Sequence, residues 1–508
     1  MTSVSGGHTL SIFSRGADSL RIDLSMHSAH REALVNEMVR LPKMADAIVL
    51  AGGGEQSVYD SDTVWDFKQE SNFQYLFGVK EPGCYGLITL NPVSSILFIP
   101  RLPKEYAQWL GQIKPQSWFK ETYLVDAVHY VDEMSSVLAD ELQVSTLAYY
   151  DFTNLDSGIS LPVPSFSGSE KFTFVRGDQF AHTLNELRVL KSGPEIAILQ
   201  YTNDVSCRAH IDTMKEVYSK RHGAVTSMEH FAETNFRFQA GLGGCARVGY
   251  HCIACSGENN AILHYGHAAE QNNEEVPANS LRLLDMGAEY HCYTADVTCT
   301  FPTNGSFSAE QREVYESVWE SVLAVEALIK PGVDYRDMHR LSQRVMMSEL
   351  KKRTDMFPGN IDELVKHNVC AFFMPHGLGH MLGLAVHDVG GYLPGESKDA
   401  ADLSLKGLRL GRALKAGMVL TVEPGFYFID YLISELKAIP EISELVNFDA
   451  VYRFKKLVGG IRIEDNIVVT PSGCRVLTDV PRTVADIEAV MQGTANWGVG
   501  KHYREYSN

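Results

Sequence analysis

The sequence predicts an α+β protein in two parts: a smaller α/β domain over residues 1–185, then a domain over 186–508 whose strands form a curved, largely antiparallel sheet backed by helices. Three observations carry this reading. The chain has 508 residues, well past the roughly 250–300 at which a single hydrophobic core stops growing. Its first part alternates short β runs with helical spacing, the pattern of an α/β domain. Its second part groups strand-like runs around long helical tracts and has no repeat of about 20–50 residues, so a solenoid or propeller is not indicated.

The elements follow in order. Between Asp46 and Val163, DAIVLAGGG, CYGLITLNP and SILFIPRLP read as strands, while KEYAQWLGQI and YVDEMSSVLADELQ carry helical spacing. Segment 155–178, rich in Ser, Pro and Gly, reads as a connector. Ser192, followed by Gly193, Pro194 and Glu195, is helix-start chemistry, so a long helix opens the second domain. Beyond it YHCIAC, NAILHYG, LRLLDMG, MVLTVEPG and GGIRIEDNIVVT are strand-like, and 308–329 and 335–351 are helical.

Composition narrows the function. Hydrophobic residues make up 45% and charged residues 21%, as in ordinary globular proteins. The formal charge of −18 would repel phosphate backbones and anionic membrane surfaces, and no basic cluster offsets it, so neither nucleic acid nor a membrane is an expected partner. The N-terminus lacks the apolar stretch of a signal peptide. Its Ser and Arg residues leave a transit peptide open, against which Asp18 and Asp23 argue. Nine cysteines, odd in number and mostly within apolar runs, are expected to be reduced and buried, which favours a cytoplasmic location.

The chemistry concentrates in carboxylates and histidines embedded in apolar strands. Asp285 in LRLLDMG and Asp296 in YTADVTCTF would be costly to bury alone. A chain reversal around Glu289–Cys292 would set them opposite one another on a hairpin, where two carboxylates can share a cation. His376, His380 and His387 lie in a Gly-rich stretch, Glu423 ends a strand before Pro424, and alternation puts Arg462 and Glu464 on one face. One such residue is more often a satisfied core group, but five converging are harder to dismiss. If Asp285, Asp296, His380, Glu423 and Glu464 meet, their four negative charges call for two divalent cations. Such oxygen-rich donors suit Mn²⁺ and tolerate Zn²⁺, Co²⁺ or Fe²⁺. Two such ions can activate water for hydrolysis. Cys252 and Cys255 have the spacing of half a zinc site but no second pair follows, and neither a P-loop nor a GxSxG elbow occurs.

LLDMGAEYHCYTADVTCTFP, HGLGHMLGLAVHDVGGY, VLTVEPGFYFID and GGIRIEDNIVVT resemble the metal-binding segments of the pita-bread metallopeptidases, and within them the eukaryotic-type prolidases. The similarity continues through YHCIACSGENNAILHYGHA and FKQESNFQYLFGVKEPGCYG, covering roughly residues 45–490. It implies that Asp285, Asp296, His380, Glu423 and Glu464 hold two metals per subunit, usually Mn²⁺, with a bridging hydroxide as nucleophile. It also implies that Glu423 shuttles the proton to the leaving nitrogen and that His264 and His387 contact substrate and stabilise the tetrahedral intermediate. Tyr250 and His376 would line the pocket, Arg409 would grip the free carboxylate of an Xaa-Pro dipeptide, and Arg462 would brace Glu464 from behind. The family's homodimer, in which a partner Trp approaches the site, makes Trp109 the matching residue and the N-terminal domain a dimerisation element and lid. An aminopeptidase P acting on longer Xaa-Pro peptides, or a non-enzymatic binding protein on the same scaffold, remain the alternatives.

Overall fold

The structure is a computed structural model describing residues 11–220, 223–266, 272–399 and 401–507. The chain divides into two compact units, Met1–Arg188 and Val189–Asn508. Among the described residues no helix is long and apolar enough to cross a membrane, and all nine cysteines are free and buried.

In the first unit the apolar runs form a six-stranded mixed sheet. Its spatial order is Ala127–Tyr130, Val93–Ile99, Tyr85–Leu90, Ala47–Ala51, Thr146–Tyr149, Thr173–Arg176. The three middle runs pair antiparallel and the outer strands pair parallel. Val49, Leu87, Phe98 and Leu147 alternate inward to make one core face against Met134 and Leu138. Two elements differ from expectation. The end of segment 155–178 is an edge strand, Thr173–Arg176, half-buried at Phe174 and Val175 and paired parallel with Thr146–Tyr149 beyond the Ser/Pro-rich stretch. KEYAQWLGQI forms only a 3₁₀ turn, Lys104–Tyr106, and one helical turn, Ala107–Leu110, before Gly111 turns the chain at φ 72°.

The second unit opens on the helix Gly193–Ser219. Glu195 Oε2 accepts from the Ser192 backbone N–H and hydroxyl, both at 2.9 Å, which ties the start of the helix where Ser192 and Glu195 predict it. Leu281–Asp285 pairs antiparallel with both Ile253–Ser256 and Thr298–Pro302. The hairpin continues through Ala288–Tyr290 and Tyr293–Thr294 and reverses at His291 and Cys292, both left-handed (φ 49° and 68°), as a two-residue turn requires. A four-stranded antiparallel sheet runs Val419–Val422, Asp465–Val469, Gly473–Val476, Glu505–Ser507, and Gly425–Tyr427 pairs with Gly460–Arg462. Single bridges, Thr298 to Glu464 and Met381 to Leu420, stitch these sheets together. The strands are buried along both faces, so they read as continuous apolar runs rather than as alternation. Helices Ala309–Glu326 and Tyr335–Arg353 pack on each other and on this scaffold. NAILHYG is not a strand: it forms a 3₁₀ segment, Gly257–Ala261, and turns, held by Leu263 and Tyr265 packing on Ile253, Cys255, Leu283 and Tyr427 rather than by a ladder.

Buried histidines make this unit acid-sensitive. Burial pushes His210 and His339 down to about 4. Unfolded, each imidazole takes a proton below its ordinary value near 6.5, while in the fold it stays neutral until about 4. Stability is therefore fully present above pH 6.5 and falls as the pH drops through that window, by up to about 3 kcal/mol per group. Urea denaturation followed from pH 7 to 4 should show a falling midpoint, with a shallower slope in His339→Gln; a midpoint flat across this range contradicts the account.

Candidate active site

The four carboxylates expected from the sequence all sit where strand pairing stops. Asp285 ends its strand opposite Thr298. Met286 N donates to Val297 O and Ala295 N to Ala288 O, so the ladder loosens around Asp296 and sets it diagonally from Asp285, not directly across. Val422 pairs with Asp465 and Gly425 with Arg462, which leaves Glu423 and Glu464 facing each other across a gap between two strand pairs. His380 lies beside Thr421: its backbone N–H donates to Thr421 Oγ1 at 3.0 Å, and Thr421 N–H donates to the His380 carbonyl. Such breaks free a side chain to turn inward without leaving backbone groups unpaired.

These groups converge. Asp296, His380 and Glu464 offer ligand atoms all within 4.8 Å of one another. His380 Nε2 lies 3.3 Å from Asp296 Oδ2 and 3.4 Å from Glu423 Oε1. Its Nδ1 lies 3.0 Å from the Met381 carbonyl, an acceptor only, so Nδ1 carries the proton and Nε2 keeps its lone pair for the site. Tyr250 Oη is 2.6 Å from Asp285 Oδ1 and 2.5 Å from Asp296 Oδ1, one hydroxyl set between two carboxyls. Arg462 Nη2 donates to Asp285 Oδ2 at 2.6 Å, its Nε to Thr298 Oγ1 and its Nη1 to Tyr427 Oη. Thr298 in turn donates to Glu464 Oε2 at 2.7 Å. Arg462 therefore braces Asp285 directly and reaches Glu464 only through Thr298. Asn466 holds the backbone N–H and carbonyl of Asp296 with one side-chain amide.

The electrostatics are those of anions crowded out of water. Burial pushes Glu464 far up, with Asp296, Glu423 and Asp285 adding to it. Asp296 is raised by burial and by Asp285. Glu423 is pushed up to about 7 by burial, with Asp296 adding and His380 opposing. Asp285 alone stays below its usual range: burial raises it, but Arg462 and the Tyr250 hydroxyl outweigh that. Glu464 Oε1 is buried with no hydrogen-bond partner. A four-carboxylate, one-imidazole donor set with an orphaned carboxylate oxygen pointing into it fits divalent cations, which would replace the protons that these groups otherwise need.

Every candidate metal, catalytic and substrate-contacting residue except Trp109 lines one cavity of about 440 Å³. It joins Asp285, Asp296, His380, Glu423 and Glu464 to Tyr250, His264, His376, His387, Arg409 and Arg462. Burial holds His387 down at about 2, with His380 and Arg409 contributing, and His376 at about 3, so both rings are neutral. His264 is also lowered by burial and by Arg462. The His376 ring is already engaged: Tyr427 Oη, which accepts from Arg462, lies 2.9 Å from Nε2, and the Gly377 carbonyl lies 2.7 Å from Nδ1. The loop carrying His387 is latched by an ion pair, Lys191 to Asp388 at 3.1 Å, in which both side chains are almost completely buried. Trp109 belongs to the other unit and is 77% exposed there. Lys398 and His251 also line the cavity, and sequence reasoning missed them along with Thr298, Tyr427 and Asn466. Among the described residues Cys252 and Cys255 join no cluster of three or more potential metal ligands, and Cys255 donates to the Leu283 carbonyl.

Residues 197–471 match Metallopeptidase family M24, and residues 27–149 match the aminopeptidase P N-terminal domain. The chain belongs to metallopeptidase family M24. It has the pita-bread fold of that family. It is 43% identical over 482 residues to an Xaa-Pro dipeptidase of Homo sapiens, spanning 94% of this chain and 95% of the relative, and 42% identical to that of Mus musculus, spanning 95% and 96%. A probable Xaa-Pro aminopeptidase of Paracoccidioides brasiliensis is 34% identical, with 87% of this chain and 91% of the relative covered. Among solved structures, aminopeptidase P from E. coli superposes with a TM-score of 0.74 at 28% identity, covering 93% of this chain and 99% of the other. A zinc-substituted form of that enzyme in complex with product superposes at 0.73, with 28% identity and 94% and 99% covered.

Arg462 is the cation on which the arrangement leans. Replacing it with Met leaves Asp285 buried without its counter-charge, which should lower stability by about 3–5 kcal/mol and weaken divalent-metal affinity by about 10–100-fold. Chemical denaturation and Mn²⁺ titration of Arg462→Met check this, and unchanged values in both contradict it.

Proposed function

We propose that the protein is an Xaa-Pro dipeptidase that holds two divalent cations, Mn²⁺ by preference, through Asp285, Asp296, His380, Glu423 and Glu464. The observation that carries this reading is the placement of Arg409 in the same cavity as all five donors. A guanidinium lining the same cavity as the donor set suits a substrate whose free carboxylate ends at the residue after the scissile bond. A volume of about 440 Å³ is small for a ligand cavity, within the range of roughly 300–1,000 Å³, and accommodates a dipeptide. The full-length similarity to Xaa-Pro dipeptidases supports the same substrate class.

Two divalent cations held by Asp285, Asp296, His380, Glu423 and Glu464 would supply Lewis acidity and make water acidic enough to attack at neutral pH. The remaining work falls to side chains. Glu423 would accept the proton of the attacking water and deliver it to the prolyl nitrogen, a task open to a carboxylate that lies close to both. His387 and His264, in which burial disfavours the charged ring, present N–H donors to the oxygen that becomes negative at the scissile carbonyl. Arg409 holds the carboxylate terminus, and Tyr250 keeps Asp285 and Asp296 in register. The scissile amide of an Xaa-Pro bond has no N–H, so the cavity needs no acceptor for one. A homodimer in which the exposed Trp109 approaches a partner's cavity, and a cytoplasmic location, complete the reading.

Asp296→Asn removes one charge from the donor set without changing its shape. Turnover of Gly-Pro should fall by more than about 10³-fold, together with loss of bound metal by elemental analysis; wild-type turnover contradicts the assignment. The same assay separates the dipeptidase from an aminopeptidase P: Mn²⁺-dependent release of proline from Gly-Pro but not cleavage of Gly-Pro-Ala is expected, and efficient cleavage of the tripeptide overturns the dipeptidase reading.

A further inference from the structure

Residues 497–506 converge on the far side of the segment that carries Glu464. Along Glu464, Asp465 and Asn466 the side chains alternate: Glu464 and Asn466 turn toward Asp296, and Asp465 turns the opposite way into a buried ion network. Arg482 donates to Asp465 Oδ1 at 2.6 Å, to the Thr298 carbonyl at 2.7 Å and to the Glu464 carbonyl, so one guanidinium clasps the backbone of both strands that flank the site. Arg504 donates to Asp465 Oδ2 at 2.6 Å and, with two nitrogens, to both oxygens of Glu326 at 2.8 and 3.0 Å. Asp465 and Glu326 are completely buried, and the two carboxylates and two guanidiniums balance.

The tail that brings Arg504 there is pinned along its length. Asp479, also completely buried, accepts from Trp497 Nε1 and from the backbone N–H groups of Gly500, Lys501 and His502. Tyr503 donates to Asp204 at 2.5 Å, Tyr506 donates to Glu326 at 3.0 Å, and Glu505–Ser507 adds an edge strand to Gly473–Val476.

We infer that the C-terminal tail is a positioning clasp for the metal centre: Arg504, acting through Asp465 and Arg482, sets the backbone of Glu464 and Thr298 and thereby the affinity for divalent cations. This rests on the metal-centre reading above. Arg504 touches neither substrate nor the donor atoms; without it Asp465 loses one of its two cations and is free to draw Arg482 away from the two carbonyls it holds.

The test is Mn²⁺ titration of the chelator-stripped full-length chain, with the melting temperature of each metal-free variant recorded alongside. Arg504→Met should weaken Mn²⁺ binding by about 10–100-fold. Arg504→Lys, which keeps the charge but cannot reach Glu326 and Asp465 together in the same fork, should fall between it and wild type. Tyr503→Phe loosens the same tail away from Asp465 and should lower the melting temperature without changing the affinity. Wild-type affinity in Arg504→Met overturns the inference, as does an equal loss in Tyr503→Phe, which would mean that tail stability alone is at work. If Arg504→Met does not fold, Arg504→Lys decides, and wild-type affinity there overturns it equally. Failure of the wild-type chain to bind Mn²⁺ would instead sink the metal-centre reading itself.

Discussion

Four carboxyl groups share one buried pocket, and an uncompensated buried anion costs several kcal/mol. The second unit is arranged around that constraint. Arg462 neutralises Asp285, the Tyr250 hydroxyl lies between Asp285 and Asp296, and Thr298 and Thr421 satisfy one oxygen each of Glu464 and Glu423. What these contacts leave over, including the unpartnered Glu464 Oε1, is a demand for positive charge that divalent cations meet. Metal binding on this account is continuous with folding: the same groups that would bind the ions are those whose repulsion the scaffold otherwise has to absorb.

The strand topology explains how the groups come so close without unpaired backbone. Each carboxylate lies at the end of a strand or in a gap between two strand pairs, and the gaps lie next to one another through the Thr298–Glu464 bridge. Alternation along the chain turns Arg462 and Glu464 toward the centre and Asp465 to a separate ion network behind it.

Much of this was legible in the sequence. An acidic residue inside LRLLDMG or VLTVEPG contradicts its own apolar surroundings, and that contradiction is the signal of a functional group. Gly-rich spacing marked His376, His380 and His387, and Ser192 with Glu195 marked the long helix. Other parts carried no such signal. Thr298, Tyr427 and Asn466 are polar residues of types that occur everywhere in strands, and only pairing across the sheet gives them partners. NAILHYG looked like a strand because Ile262, Leu263 and Tyr265 are apolar or aromatic, yet their packing on Ile253 and Tyr427 needs turns, which local pattern does not encode. Arg482 and Arg504 are separated along the chain from Glu464 and Thr298, so their role is readable only once the fold is known.

The central claim is that the pocket is built for two divalent cations held by Asp285, Asp296, His380, Glu423 and Glu464. Anomalous diffraction at the manganese edge, from crystals of the chain purified metal-free and then loaded with Mn²⁺, tests it most directly. The account predicts two peaks about 3.5–4 Å apart, both within coordination distance of these five side chains and with Glu464 Oε1 engaged. A single peak, or peaks coordinated by other residues, would contradict it.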